Sequence, residues 1–183
     1  MDKWNEQGFQ RRDIHRFIVH KDWQPFGKTY DADIAIIVLD SPVEYTQYVR
    51  PLCIWEFSND LNEVVGQSGA LAGWGLNENN QLNSEFPKMI EVPIVNDGTC
   101  LRSHPAIAAV SSERTFCAGG KNGEGPCKGD SGGGLILKRG DKWYLRGLVS
   151  TAPANVFGPC DTNSYAIFTD VAKFLGWIRS NTQ

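Results

Sequence analysis

The residues with the clearest capacity for chemistry are a serine and the glycines around it. Residues 129–134 read Gly-Asp-Ser-Gly-Gly-Gly, which makes Ser131 a candidate nucleophile. A nucleophilic serine needs an exposed hydroxyl on a tight turn and backbone N–H groups aimed at the developing oxyanion. Flanking glycines allow the backbone angles of such a turn and let a substrate approach closely. Taken alone, the same run suits a glycine-rich hairpin loop equally well.

Further motifs accompany this serine in a fixed order along the chain. They are Asp33-Ile34-Ala35, Pro51-Leu52-Cys53, Ala72-Gly73-Trp74-Gly75, Phe116-Cys117-Ala118-Gly119 and Cys127. Together they resemble the chymotrypsin-like (trypsin-like) family of serine endopeptidases, from about His15 to Ile178. Segments 45–55 and 143–150, with the third glycine at 134, are similar to insect modular and gastrulation-defective-type proteases, which act in extracellular cascades.

The resemblance implies a role for several residues. Ser131 matches the nucleophile that forms an acyl-enzyme. Its N–H and that of Gly129 match the oxyanion hole. Asp33 matches the buried carboxylate that orients the catalytic imidazole. Asp130 matches the residue that binds the new N-terminal ammonium after zymogen cleavage.

The catalytic histidine is the part of this set that the sequence does not supply. The family histidine precedes the aspartate by roughly 45 residues, but only 32 residues precede Asp33. The family motif Thr-Ala-Ala-His-Cys is absent. His15 and His20 are the only upstream candidates, and neither lies in a matching motif; His104 is expected to be solvated. We predict that this chain lacks the general base and is inactive alone.

Two explanations of the missing histidine follow from the sequence. The whole family segment that would carry the histidine is expected to be missing, rather than one residue exchanged, which favours a serine endopeptidase represented by an N-terminally truncated chain. The alternative is a non-catalytic protease homologue that acts as a binding or regulatory module. Ser131 and Asp33 argue against that alternative, and the absent histidine argues for it.

The cysteines are typical of a disulfide-bearing extracellular domain. Five is an odd number, so one cysteine is expected to pair outside the chain or to stay free. The resemblance implies the bridges Cys100–Cys117 and Cys127–Cys160, and a bond from Cys53 to a missing N-terminal segment or pro-domain. An extracellular location is expected, although the first residues do not form a signal peptide.

The resemblance also implies a primary specificity pocket. Gly125 matches its base, where a trypsin specific for basic residues has Asp. Without that carboxylate a substrate Lys or Arg side chain would be buried unpaired, which is costly. We therefore predict a small or apolar primary side chain. The substrate-binding residues implied are Gly125, Lys128, Ser150, Thr151, Ala152 and Ala166.

Composition and charge exclude several other functions. The net charge is −3, whereas nucleic-acid binding favours a basic surface. No apolar run approaches the ~18–20 residues of a membrane-spanning helix. With three histidines and no Cys-x-x-Cys pair, neither a metal site nor a cofactor is expected. The expected partner is a protein or peptide substrate.

The elements that would position these residues are mostly strands. Short apolar runs separated by Gly, Pro, Asn and Asp indicate an all-β sandwich or barrel. The run Asp33–Leu39 is apolar on both faces and is predicted to be buried between layers. Val171, Phe174, Leu175 and Ile178 fall on one helix face, with Thr169 or Asp170 as the cap. A second short helix is predicted over about 96–104.

The resemblance implies an all-β fold: a trypsin-like double antiparallel β-barrel with a C-terminal helix and an incomplete first barrel. Residues 1–183 form a single partial peptidase domain in this interpretation. Its parts are an unmatched lead-in at 1–12, the remainder of the first barrel at 13–60, the second barrel at 61–168 and the C-terminal helix at 169–183. Absent early strands would leave sheet edges and apolar faces uncovered, so self-association is expected.

Overall fold

The computed structural model of the chain describes residues 8–76, 81, 86–120, 123–153 and 161–182. The strands in these residues are β1 (Ile14–Val19), β2 (Ala35–Leu39), β3 (Cys53–Ile54), β4 (Ser68–Gly73), β5 (Lys88–Val95), β6 (Thr115–Gly119), β7 (Gly134–Arg139), β8 (Lys142–Thr151) and β9 (Tyr165–Asp170). The helices are α1 (Asp97–Ser103), α2 (Pro105–Val110) and α3 (Leu175–Asn181), with 3₁₀ turns at Leu61–Glu63 and Val171–Phe174.

Strands β4 to β9 form a closed antiparallel barrel. The hydrogen-bonded order is β8-β7-β4-β5-β6-β9, and β9 pairs back onto β8, which closes a six-stranded ring. Strand β3 adds to the outside in parallel with β8, where Cys53 lies opposite Tyr144. Together with the C-terminal helix, this barrel confirms the all-β, trypsin-like fold.

The barrel core consists of large apolar side chains from facing strands. Phe116 on β6 and Phe168 on β9 are stacked with ring centroids 5.5 Å apart, and both are buried. A buried charge lies beside them: Arg146 has 0% exposure and forms an ion pair with Asp170. The Arg146 guanidinium also lies over the rings of Trp55 and Phe116. The barrel interior therefore contains a paired charge as well as apolar contacts.

The N-terminal part of the chain forms a separate antiparallel pair, β1 with β2. The prediction that Asp33–Leu39 is buried between layers is wrong for the second half of the run, because Ile37 is 54% and Leu39 is 41% exposed. Alternate strand residues point to opposite sides of a sheet. On the opposite side the run is covered, since Ile34 lies in a buried cluster with Phe174.

The helical predictions are confirmed with shifted details. The predicted stretch at 96–104 contains α1, whose N-cap Asn96 accepts a hydrogen bond from Thr99 N. The C-terminal segment begins as a 3₁₀ turn capped by Asp170 and continues as α3. Helix α2 was not predicted; it starts at Pro105, a residue favoured in a first helical turn. Among the described residues, no helix is long and apolar enough to cross a membrane.

Candidate active site

The loop before β7 presents Ser131 to solvent. Gly129 (φ +102°) and Gly132 (φ +80°) adopt left-handed backbone angles that glycine tolerates and other residues rarely do. Gly132 N donates to Val149 O at 2.8 Å, and Val149 N donates to Gly133 O at 2.9 Å. These bonds fasten the loop to β8, so the exposed Ser131 lies on a turn that the barrel holds in place.

Two backbone N–H groups of the Ser131 turn have no hydrogen-bond acceptor among the described residues. Within the described chain neither Gly129 N nor Ser131 N donates a hydrogen bond. Both belong to the turn that carries the hydroxyl. A pair of N–H donors beside a nucleophile is the arrangement that stabilises an oxyanion in acyl transfer.

Asp130 lies under the same turn and is held by backbone groups. Its Oδ1 accepts from Gly75 N at 2.8 Å and its Oδ2 accepts from Cys127 N at 2.9 Å. A Cβ atom at Gly73 or Gly75 would collide with this carboxylate. The Gly73-Trp74-Gly75 segment is therefore shaped around Asp130.

Asp33 lies just before β2 and is attached to the barrel at two points. Ser150 Oγ on β8 donates to Asp33 Oδ2 at 2.7 Å, and Thr169 Oγ1 on β9 donates to Asp33 O at 2.8 Å. The sequence assigned Ser150 to the pocket wall only. Its bond to Asp33 joins residues 117 positions apart, so no local pattern could reveal it.

A strained turn and an ion pair precede Asp33. Ala32 has a φ of +55° and is fully buried, a conformation unusual for a residue other than glycine. Asp31 accepts from Ser112 Oγ at 2.7 Å and from Arg114 Nε at 2.9 Å. The hydrogen bond from Arg114 is the largest of the effects that hold the pKa of Asp31 below its ordinary value. Arg114 thereby anchors the turn to the loop before β6.

Two of the three histidines have contacts of other kinds, and the third is exposed. His20 is buried, with its ring centroid 5.2 Å from that of Phe174 and 5.0 Å from that of Trp177, and its Nδ1 accepts from Asp22 N. His104 caps α2 through a bond from Ala106 N, and His15 is exposed on β1. Within the described residues no imidazole is hydrogen-bonded to Asp33 or Ser131.

A cavity of about 210 Å³ opens beside Ser131. Its described lining comprises Pro126, Cys127, Lys128, Ser131, Val149, Ser150, Thr151, Ala152 and Pro153. Four of the expected substrate-binding residues are therefore present: Lys128, Ser150, Thr151 and Ala152. The sequence did not indicate Val149 or Pro153, whose positions depend on how β8 curves past the loop.

Gly125 and Ala166 were also expected to bind substrate, and this assignment stays a prediction. Ala166 is 1% exposed in the barrel core and pairs with Ala118. Gly125 is half-buried, and an added Cβ there would lie 3.6 Å from Thr162. Neither belongs to the described lining of the cavity.

The cysteines divide into bridged and free. A disulfide joins Cys100 on α1 to Cys117 on β6, as the resemblance implies. Cys127 is also disulfide-bonded, but its expected partner Cys160 lies outside the described residues. Cys53 is a free, half-buried thiol on β3. The described residues contain no group of three or more His, Cys, Asp or Glu side chains that could hold a metal ion.

Comparison with known proteins places the chain in a family. The family model for trypsin matches residues 3–178, beginning inside the segment 1–12 that had no clear resemblance. The chain therefore belongs to the trypsin family of serine endopeptidases. It is 34% identical to serine protease gd of Drosophila melanogaster over 97% of the chain and 39% of that protein.

Other insect proteases are similar to a comparable degree. The chain is 31% identical to CLIP domain-containing serine protease HP8 of Bombyx mori, over 93% of the chain and 46% of that protein. It is 34% identical to phenoloxidase-activating factor 1 of Holotrichia diomphalia, over 92% of the chain and 44% of that protein. The chain thus spans less than half the length of these relatives.

Proposed function

We propose that the chain is the protease domain of a secreted serine endopeptidase of a proteolytic cascade, with Ser131 as its nucleophile. The observation that carries this proposal is the position of Ser131, exposed beside two available N–H donors and a cavity. One residue of that cavity, Ser150, also holds Asp33. The names of similar proteins, such as phenoloxidase-activating factor 1 and clotting factor C, support a cascade role.

The proposed reaction is acyl transfer. Ser131 Oγ attacks the scissile carbonyl carbon while its proton passes to a base, and the carbonyl oxygen becomes an oxyanion. The N–H groups of Gly129 and Ser131 donate to that oxyanion; loss of one such donor typically costs about 10²–10³ in rate. The amine then leaves with a proton, and water releases the acyl group by the same route.

Asp33 would orient the base by accepting a hydrogen bond from an imidazole. Ser150 and Thr169 hold Asp33 in place, yet within the described residues no imidazole is hydrogen-bonded to its carboxylate. His20 in particular is enclosed by Phe174 and Trp177. We infer that the 183-residue chain alone lacks a general base and does not hydrolyse peptides.

The remaining assignments concern substrate and partners. The cavity walls include Val149, Ala152 and Pro153, which favours a small or apolar side chain over Lys or Arg. Asp130 would bind an N-terminal ammonium formed by zymogen cleavage. The free Cys53 would bond to a pro-segment, and the disulfides fit an extracellular location.

Fluorophosphonate labelling of the oxidised chain tests the nucleophile and the base separately. We expect no labelling of Ser131 in plain buffer, because its hydroxyl has no base. Added imidazole should produce labelling that peptide mapping assigns to Ser131, and that is lost in Ser131→Ala. Gly129→Ala is the matched control for the oxyanion hole. It keeps the Ser131 hydroxyl but strains the turn that carries the N–H donors, because alanine rarely adopts the φ of +102° found at Gly129.

Each other outcome selects a different explanation. Labelling without imidazole would show that His15 or His20 acts as the base, and their Gln variants would identify which. No labelling even with imidazole would favour the alternative, a non-catalytic homologue that serves as a binding or regulatory module.

A further inference from the structure

One arginine binds two carboxylates of the loop that connects β1 to β2, residues 20–34. Arg114 Nη1 donates to Asp22 Oδ2 at 2.9 Å, and the Asp22 side chain is 42% exposed. Arg114 Nε donates to Asp31 Oδ1 at 2.9 Å, and Arg114 Nη2 donates to Asp31 Oδ2. The Asp31 side chain is 28% exposed. The contact with Asp31 is therefore made at two points and is the better shielded of the two.

The guanidinium of Arg114 is itself held in orientation by other parts of the molecule. Its central carbon lies 5.1 Å from the centroid of the Phe174 ring. The backbone of the same residue is fixed at the start of β6, where Asp170 N donates to Arg114 O at 2.9 Å. A planar guanidinium with parallel N–H donors matches both oxygens of a carboxylate, which the single ammonium of lysine does not. Arg114 can therefore fix the direction of the Asp31 carboxylate as well as attract its charge.

Only one residue separates Asp31 from Asp33, and its backbone is restricted. Ala32 is fully buried at a φ of +55°, and Ile34 N donates to Ala32 O at 2.8 Å. A residue other than glycine keeps such a conformation only where its surroundings hold it. Release of Asp31 would let this turn relax, and Asp33 is the residue that would move with it.

We propose that Arg114 is a positioning residue for Asp33, and through Asp33 for the imidazole that this carboxylate orients. The inference rests on the proposed function, because it concerns the same carboxylate. Ser150 and Thr169 bind Asp33 itself, whereas Arg114 holds the backbone that leads to it. Arg114 does not belong to the described lining of the cavity beside Ser131. Its loss should therefore disturb the orientation of the base and leave the oxyanion donors in place.

Imidazole-assisted labelling of Ser131 by a fluorophosphonate measures this role. The labelling rate against imidazole concentration gives a half-saturating concentration and a limiting rate. Because Asp33 accepts a hydrogen bond from the added imidazole in the proposed reaction, a displaced carboxylate should raise the half-saturating concentration. We expect a rise of about 10- to 100-fold in Arg114→Gln, since a misplacement of about 1 Å can cost about 100-fold. A chain that was merely less stable would show less labelled protein at an unchanged half-saturating concentration.

Two further variants separate the direction of the carboxylate from the charge of its partner. Arg114→Lys keeps the charge but cannot make the two-point contact with Asp31, so it should behave like Arg114→Gln. Asp22→Asn is the matched control, because it removes the more exposed partner of Arg114 and leaves the contact with Asp31. Its half-saturating concentration should stay at the wild-type value. Full rescue by Arg114→Lys, or an equal loss in Asp22→Asn, would overturn the proposal.

Amide hydrogen exchange of the same variants gives an answer that does not depend on Ser131. Tyr30 N, beside Asp31, donates to Val110 O at 2.9 Å. Its exchange, measured relative to that of Val149 N in the barrel, should be at least about tenfold faster in Arg114→Gln than in wild type.

The two measurements distinguish failure of this inference from failure of the proposed function. If wild type is not labelled even with imidazole, the proposed function fails, while faster exchange at Tyr30 would still support the anchoring of Asp33 by Arg114. If wild type and Arg114→Gln are labelled with the same half-saturating concentration, the positioning role is overturned and the proposed function stands. Unchanged exchange at Tyr30 would overturn the positioning role in either case.

Discussion

The barrel and the β1–β2 sheet use similar apolar residues with opposite results. Each barrel strand from β4 to β9 has at least two strand neighbours, and Phe168 on β9 is fully buried. Strands β1 and β2 have only each other in the described chain, and Phe17 on β1 is 62% exposed. Closure of the sheet, rather than the type of residue, therefore decides which phenylalanine belongs to a core.

The difference matters because the candidate site is divided between the two regions. The barrel carries the Ser131 loop, whereas Asp33 lies at the start of β2. The contacts that join them include the bonds from Ser150 and Thr169 to Asp33, the bond from Arg114 to Asp31, and the packing of Ile34 in one cluster with Phe174. Alignment of Asp33 with Ser131 thus depends on how firmly an open sheet docks on a closed barrel.

The largest effect is expected inside the barrel. Arg146→Met keeps an unbranched side chain against Trp55 and Phe116 but leaves the Asp170 carboxylate buried without its partner. Removal of one member of a buried pair typically costs about 3–5 kcal/mol. Urea unfolding followed by circular dichroism should show a loss of that size in the free energy of unfolding.

The double variant Arg146→Met/Asp170→Asn is the control for this prediction. It removes both charges, and Asn can still cap the following 3₁₀ turn, so much of the lost stability should return. If Arg146→Met lowers the free energy of unfolding by less than about 1 kcal/mol, the barrel interior tolerates an unpaired carboxylate. The barrel would then differ less from the β1–β2 sheet than proposed here.

A smaller, pH-dependent effect is expected where the sheet docks. Arg114→Gln removes the charged donor to Asp31, and hydrogen bonds to charged groups contribute about 1.5–3 kcal/mol. Because Arg114 lowers the pKa of Asp31 in the folded chain, the contribution is present above the unfolded pKa of about 3.9. It is lost as the pH falls through the lower folded value.

Unfolding of wild type and Arg114→Gln between pH 7 and about pH 2 measures this dependence. The two stability curves should run parallel at neutral pH and converge below about pH 4. Arg179→Gln is the matched control, since the Arg179–Glu56 pair is more than half exposed and such pairs contribute little. Curves that remain parallel in acid would remove Asp31 as the cause.

The structural features that could be predicted from the sequence are those that short-range patterns determine. Apolar runs between turn residues marked the barrel strands, and the 3.6-residue spacing from Val171 to Ile178 marked the C-terminal helix. Helix α2 was not predicted, although Pro105 is a residue favoured in a first helical turn. The burial of Asp33–Leu39 was misjudged because a strand's own residues do not state how many layers will cover it.

In the candidate site, too, local features could be predicted from the sequence and long-range contacts could not. The glycines around Ser131 indicated the turn, since a positive φ is a local requirement. The bond of Ser150 to Asp33 and the pair of Arg146 with Asp170 depend on long-range contacts that no spacing reveals. Ala166, which was expected to bind substrate, lies in the barrel core, and its contact with substrate stays a prediction.

The smallest effect compares two buried alanines, one in each region. Ala166 is 1% exposed on β9, and Ala32 is 0% exposed at φ +55° before β2. Ala166→Gly removes a buried methyl and frees the unfolded chain, which together should cost about 1–2 kcal/mol. Ala32→Gly loses the same terms but releases a left-handed conformation worth roughly 1–2 kcal/mol, so its net change should be near zero.

The difference between these two substitutions measures the strain stored beside Asp33. Both remove the same atoms from buried positions, so the methyl and entropy terms cancel when the two changes in unfolding free energy are subtracted. Equal losses would mean that Ala32 is unstrained and that docking of the sheet carries no conformational cost. A gap of about 1–2 kcal/mol would mean that the bonds from Ser112, Ser150 and Thr169 hold a turn that the backbone alone would not adopt.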